Sequence, residues 1–202
     1  MRKRIAREFY ARPTLIVARE LLGQRLVRRL DGERLAGRIV EVEAYIGTTD
    51  RSSHARSGKT ARNAAMFGAP GHAYVYLIYG MYHCLNLVTE AAGFPAAVLI
   101  RAVEPLEGIP TQRQLRGMQR PLRDLTRGPG RLCQALAIDR LFDGADLCGP
   151  QAQLWVEYDE KIPPAQIIQS PRIGVRGDTA ALTAPWRFLI RDNPWISRKP
   201  AN

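Results

Sequence analysis

The chain has 202 residues, 46% of them hydrophobic and 24% charged, which is the balance of an ordinary globular domain with enough apolar material for a real core. Its formal net charge is +11, carried mostly by arginine, since Lys3, Lys59, Lys161 and Lys199 are the only lysines. No stretch approaches the roughly 20 apolar residues of a membrane span, and the three cysteines Cys84, Cys133 and Cys148 form no CxxC pair, which speaks against a disulfide framework or a zinc site.

The basic start, MRKRIAREFY, has no apolar segment behind it and does not read as a signal peptide; the cysteine usage makes a reducing cytoplasm the expected location, the bacterial cytosol in association with the nucleoid. Thr14 to Gly23 (TLIVARELLG) reads as a short amphipathic helix closed by glycine. The segments QRLVRRL and RLAGRIVEVEAYIG flank Asp31-Gly32, a hairpin signal. In the second of them Val40, Val42 and Ala44 share one face, and Glu41, Glu43 and Tyr45 the other. Two carboxylates on one strand face are either solvated or paired with arginines, or one of them is a general base.

Residues 47–72 are polar, small and Gly-rich, a long loop with room for one helical turn. It contains His54, which has no partner at ligand spacing; no metal is expected. YVYLIYGMYHCLNLV (74–88) comes next, two β-rich runs around Gly80-Met81. Glycine at the first central position suits a type II′ turn, which sets Tyr79 opposite Tyr82 at the tip, with Tyr74 and Tyr76 together on one face. Cross-strand aromatic pairing explains most of this crowding, but a tyrosine at a tip is not core, and on a strongly basic protein it can wedge into a base stack.

AAVLIRAVEPLEG is a further strand; residues 109–127 read as a helix plus a surface loop, GPGRLCQALAI as a turn then a helix, and the chain from Asp143 as short strands and turns ending in RFLIRDNPW. Hairpins outnumber βαβ units. The expected fold is α+β: a single mixed domain, residues 1–202, around a curved, mainly antiparallel sheet with a protruding β-hairpin.

Taken in order, LGQRLVRR, RIVEVEAYIG, SHARSGKTARNAAMFG, YVYLIYGMYHCLNL, VLIRAVEPLEG, RGPGRLCQALAID, SPRIGV and RFLIRDNPWIS resemble the alkyladenine (3-methyladenine) DNA glycosylases of the vertebrate and bacterial type, over most of the chain. The resemblance implies a DNA repair enzyme that flips alkylated or otherwise damaged purines out of double-stranded DNA and hydrolyses the N-glycosidic bond with an activated water. By position it makes Glu43, at a sheet edge, the general base, and Arg101 its partner in placing the water and a contact to a backbone phosphate. It places Tyr45, His54 and Tyr76 around the flipped base and Asn86 against the 2-amino group of normal guanine. Tyr79 fills the vacated space in the duplex, with Met81 beside it, and Arg62 and Arg131 are expected at phosphates. It assigns nothing to Glu41. Tyr74 and Tyr82 are expected to support the hairpin. The loop departs from the family in carrying Thr60-Ala61-Arg62-Asn63 where Thr-Pro-Arg-Asn is usual.

Of the four lysines only Lys59 falls in these segments, so no amine is placed for a Schiff base and a monofunctional, cofactor-free, monomeric enzyme is expected. Two other readings stay open at this point: a non-catalytic binder of distorted DNA using the same tyrosine wedge, and a basic protein acting on RNA or free nucleosides.

Overall fold

The computed structural model describes residues 2–200. Its sheet has eight strands: β1 (Arg25–Leu30), β2 (Glu33–Ile46), β3 (Ala73–Ile78), β4 (Tyr82–Val88), β5 (Ala96–Glu107), β6 (Leu154–Glu157), β7 (Ile167–Ser170) and β8 (Arg187–Ile190). Five α-helices accompany it: α1 (Arg7–Tyr10), α2 (Thr14–Leu21), α3 (Ile109–Arg116), α4 (Pro129–Ala135) and α5 (Thr179–Thr183). The strand order is β3-β4-β5-β2-β1-β6, with β8 also paired to β2 and β7 to β8, and every ladder is antiparallel. The molecule is therefore α+β with an open sheet, as the succession of hairpin signals predicts.

Asp31 and Gly32 both take left-handed φ angles, 50° and 87°, and close the β1–β2 hairpin between Leu30 and Glu33. Strand β2 is long enough to serve two neighbours on one edge: Glu33–Arg38 pairs with β1, and Glu41–Glu43 with β8. Its other edge runs along β5. Glu41 and Glu43 thus lie on an interior strand flanked on both sides, which overturns the expectation of an acid at a sheet edge. The segment that covers this edge, β8, enters from the far end of the chain, and no local pattern announces it.

α2 buries Thr14, Val17, Ala18 and Leu21, one stripe at helical spacing, and packs on β2 and β5. The chain turns out of it at Gly23, where φ is +84° and an added Cβ would lie 2.3 Å from the Glu160 carbonyl oxygen, so no other residue fits.

Two irregularities interrupt the β2–β5 ladder. Ile39 pairs with Val103 and Glu41 with Ala102, leaving Val40 extra; then Glu41 pairs with Ala102 and Val42 with Ile100, leaving Arg101 extra. Bulges bend and twist a strand and re-aim the side chain of the extra residue. Here that residue is Arg101, whose guanidinium lies against Glu41 and Glu43.

The β3–β4 hairpin corrects the expected turn. Ile78 pairs with Tyr82, and the Met81 N–H donates to the Ile78 carbonyl at 3.2 Å. The central residues are Tyr79 and Gly80, with φ 54° and 69°, so the turn sits one residue earlier than the glycine alone suggests and Tyr79 does not face Tyr82. A non-glycine residue in this region costs on the order of 1–3 kcal/mol. In return the Tyr79 ring stands clear of the protein, 81% exposed, with Met81 at 62% beside it.

Candidate active site

Under the hairpin lies a cleft of about 590 Å³ lined by Tyr45, His54, Tyr74, Tyr76, Asn86 and Arg101, with Tyr79 and Tyr82 toward its mouth and Arg116, Arg120, Arg131 and Arg176 around it. The sequence-predicted pocket residues therefore meet in one place, although they come from β2, the 54–57 turn, β3, β4 and β5.

The long loop is ordered by its own polar side chains. Ser53 caps the 3₁₀ turn His54–Ser57 by accepting from the Ala55 N–H at 3.1 Å. The buried Asn63 amide donates to the carbonyls of His54 (2.9 Å) and Gly58 (3.0 Å). His54 Nδ1 is 2.9 Å from the Tyr74 hydroxyl, and its ring stands edge-on to Tyr76 with centroids 4.5 Å apart. Tyr74, expected as hairpin support, is thus also part of the pocket wall. Burial, followed by the charges of Arg62 and Arg56, lowers the His54 pKa, so the ring is held neutral.

A histidine whose folded pKa lies below its unfolded value of about 6.5 contributes stability that is present above that pH and lost as pH falls below it. We therefore expect an NMR titration to place the His54 imidazole below an ordinary histidine, and a His54→Gln variant to show a shallower loss of Tm than wild type between about pH 7 and pH 5. A His54 midpoint at or above the ordinary value would contradict the geometry.

Asn86 is buried, and its amide nitrogen donates to the Tyr74 carbonyl at 3.0 Å. That fixes the amide, so its oxygen is the atom left for the cleft. Cys84 also lines the cleft, but burial pushes its thiol up to about 11; at neutral pH it offers no thiolate nucleophile.

Behind this wall, the two glutamates of β2 are both fully buried. Glu43 Oε2 accepts from the Tyr45 hydroxyl at 2.9 Å and faces Arg101 Nη1 at 3.1 Å. Its Oε1 accepts only from the Ile173 N–H, at 2.7 Å. Tyr45, Arg101 and Ile173 all line the cleft, so Glu43 sits one side chain behind the surface. Burial and the Glu43 charge raise the Tyr45 pKa well above that of a free phenol, which keeps it a donor. A carboxylate has about four acceptor positions. Among the described residues Glu43 fills two with hydrogen bonds and has Arg101 as an ion-pair partner beside Oε2, so the open position is on Oε1, the oxygen beside Ile173.

Glu41 differs. Its Oε1 accepts from Arg101 Nε (2.9 Å), Arg187 Nε (2.8 Å) and the Ser197 hydroxyl (2.8 Å), and its Oε2 from the Ser197 N–H. Among the described residues it takes four donors, three of them crowded on Oε1. Burial works against the Arg101 charge, but Glu43 and Glu41 outweigh it and raise its pKa. Arg101 has five N–H donors; one reaches each of Glu41, Glu43 and Ser197, leaving two.

Sequence reasoning missed Asp50 and Arg172. Both side chains are fully buried and paired through two contacts, 2.6 and 2.8 Å. Arg172 also donates to the carbonyls of Ala44 (2.9 Å) and Ala181 (3.1 Å), and its guanidinium lies 4.7 Å from the Tyr45 ring centroid. It precedes Ile173, the residue that donates to Glu43. The motif SPRIGV marks this segment in the sequence, but nothing there says what its arginine touches.

At the mouth, Gly130 of α4 lets the helix close on the hairpin: an added Cβ would come within 2.8 Å of Tyr82. Arg62 is exposed and donates to the Leu77 carbonyl at 3.2 Å. Arg131 is held by Asp124 at 3.2 Å and is 46% exposed at its side chain. Among the described residues, no three His, Cys, Asp or Glu side chains gather as a metal site, and no helix is long and apolar enough to cross a membrane.

The profile of the methylpurine-DNA glycosylase family matches residues 8–194. A relative from Alkaliphilus oremlandii is 50% identical over 97% of this chain and all of its own length, and one from Methanocella arvoryzae is 52% identical over 96% of both; each carries the provisional name 3-methyladenine DNA glycosylase. The DNA-3-methyladenine glycosylase of Mus musculus is 48% identical over 96% of this chain, which spans 61% of the mouse protein.

Proposed function

Because this chain belongs to the methylpurine-DNA glycosylase family, we propose that it is a monofunctional DNA-3-methyladenine glycosylase acting on damaged purines flipped out of duplex DNA. The observation that carries the chemistry is the unused acceptor position of Glu43 on Oε1, the oxygen bonded to the N–H of Ile173 in the cleft wall. A water bound there gives its proton to Oε1 as its oxygen bonds to C1′ of the deoxyribose. The N-glycosidic bond breaks and its electron pair leaves with the purine. Arg101 keeps two N–H groups for the water and a backbone phosphate.

Extruding a base costs a few kcal/mol. Tyr79, held out on its turn, fills the gap, with Met81 beside it. The extruded purine lies among Tyr45, His54 and Tyr76. Rings there favour a base made cationic by alkylation by roughly 0.5–2 kcal/mol. The Asn86 side chain stands where the 2-amino group of guanine would come. Arg62, Arg131 and the arginines at the mouth meet phosphates. The whole chain acts as one domain and as a monomer.

The test is base release from duplexes carrying 7-methylguanine, ethenoadenine or hypoxanthine, with borohydride added in parallel. We expect release from at least one, an intact abasic strand and no borohydride adduct. Tight binding of lesion duplex with no release from any of them would favour a non-catalytic binder, and faster turnover of RNA or free nucleosides would favour the other alternative. A trapped adduct would refute the monofunctional assignment.

A further inference from the structure

Glu41 has no part in the proposed chemistry, yet it is the better bonded of the two glutamates. Its oxygens take four donors, from Arg101, Arg187 and both the N–H and the hydroxyl of Ser197. Of these partners only Arg101 lines the cleft, so Glu41 is set back from the reacting site and is no alternative base. Its effect falls on Arg101. An arginine next to a lone carboxylate settles into a bidentate fork, two parallel N–H···O bonds that occupy both oxygens. Arg101 does not do this to Glu43. Its Nε is committed to Glu41, its Nη2 reaches the Ser197 hydroxyl at 3.3 Å, and only Nη1 touches Glu43, on Oε2. Oε1 is left with the Ile173 amide and one open position. Charge is matched as well: the fully or nearly fully buried pair of glutamates faces Arg101 and Arg187.

We infer that Glu41 is a positioning residue, which, with Ser197 from the C-terminal segment, turns Arg101 so that a single nitrogen rather than the whole fork reaches Glu43. The inference rests on Glu43 being the base. Without the Glu41 charge, Arg101 swings onto both Glu43 oxygens and closes the water site.

The experiment is single-turnover base release and lesion-duplex affinity for wild type, Glu41→Gln, Glu43→Gln and the double variant. Glu41→Gln is expected to lower the release rate on the order of 10²-fold with Kd changed less than about threefold. In the Glu43→Gln background the same substitution is expected to leave the residual rate unchanged, because the group it acts through is gone. A Glu41→Gln rate near that of wild type overturns the inference. So does an equal loss in both backgrounds, which is what a purely structural role gives. If Glu41→Gln fails to fold, Ser197→Ala removes the hydroxyl bridging Glu41 and Arg101; a drop of about tenfold at unchanged Kd supports the inference, and no drop overturns it. Absence of release by wild type would instead count against the glycosylase reading, so the two failures are distinguishable.

Discussion

Replacing Glu43 by glutamine is expected to slow base release by about 10²–10⁴-fold, the usual contribution of a positioned general base, while lesion duplex still binds. That is about 3–5 kcal/mol of transition-state stabilisation. The substitution is not sterically disruptive, but it is not silent for the fold. Glu43 accepts from the Tyr45 hydroxyl on the oxygen that faces Arg101 and from the Ile173 N–H on the other. A glutamine side chain offers one oxygen and an NH₂ group. Whichever way it turns, a buried donor meets another donor, at about 1–3 kcal/mol. A Tm lower by about 2–12 °C should accompany the kinetic loss. The two effects separate below the Tm, where the variant is folded and binds DNA. A variant that releases base within a few-fold of the wild-type rate would remove Glu43 from the mechanism.

The second large effect falls on stability. Asp50→Ala is expected to destabilise the protein by about 3–5 kcal/mol, because it leaves the Arg172 guanidinium buried without its counter-charge. Both side chains have no exposed surface, and Asp50 meets Arg172 through both of its oxygens. Asp50 also accepts from the Ile46 N–H at 3.3 Å and the Ser52 N–H at 3.0 Å, so the same substitution loosens the loop leading to His54. In thermal unfolding this corresponds to a Tm lower by roughly 6–20 °C. A change of less than about 2 °C would mean that water or another group neutralises Arg172 and that the pair does not brace the pocket.

Much of the architecture was legible because its signals are local. Asp31-Gly32 between two apolar runs specifies a hairpin, and the stripe Thr14, Val17, Ala18, Leu21 specifies a helix whichever partner later covers it. The β3–β4 hairpin was legible too, but its register was not: Tyr79-Gly80 and Gly80-Met81 are both serviceable turn pairs. A tyrosine is the less comfortable choice for positive φ, so local preference pointed to the second. The fold uses the first and sets the Tyr79 ring outside the protein.

The sequence by itself determined the succession of strands, the basic surface, and the set of aromatic, histidine and carboxylate residues from which a site could be built. Period-two alternation puts Glu41 and Glu43 on one face and makes them equivalent. Only the tertiary structure separates them. An extra residue in β5 aims Arg101 at both, β8 brings Arg187 to Glu41, and Ser197 adds two more donors to Glu41, while Glu43 Oε1 is left with the Ile173 N–H. The arginine and serine partners of Glu41, and the arginine partner of Asp50, lie 60 to 156 residues away along the chain. Hydrogen-bond saturation is set by what converges in space, and neither spacing nor composition encodes it.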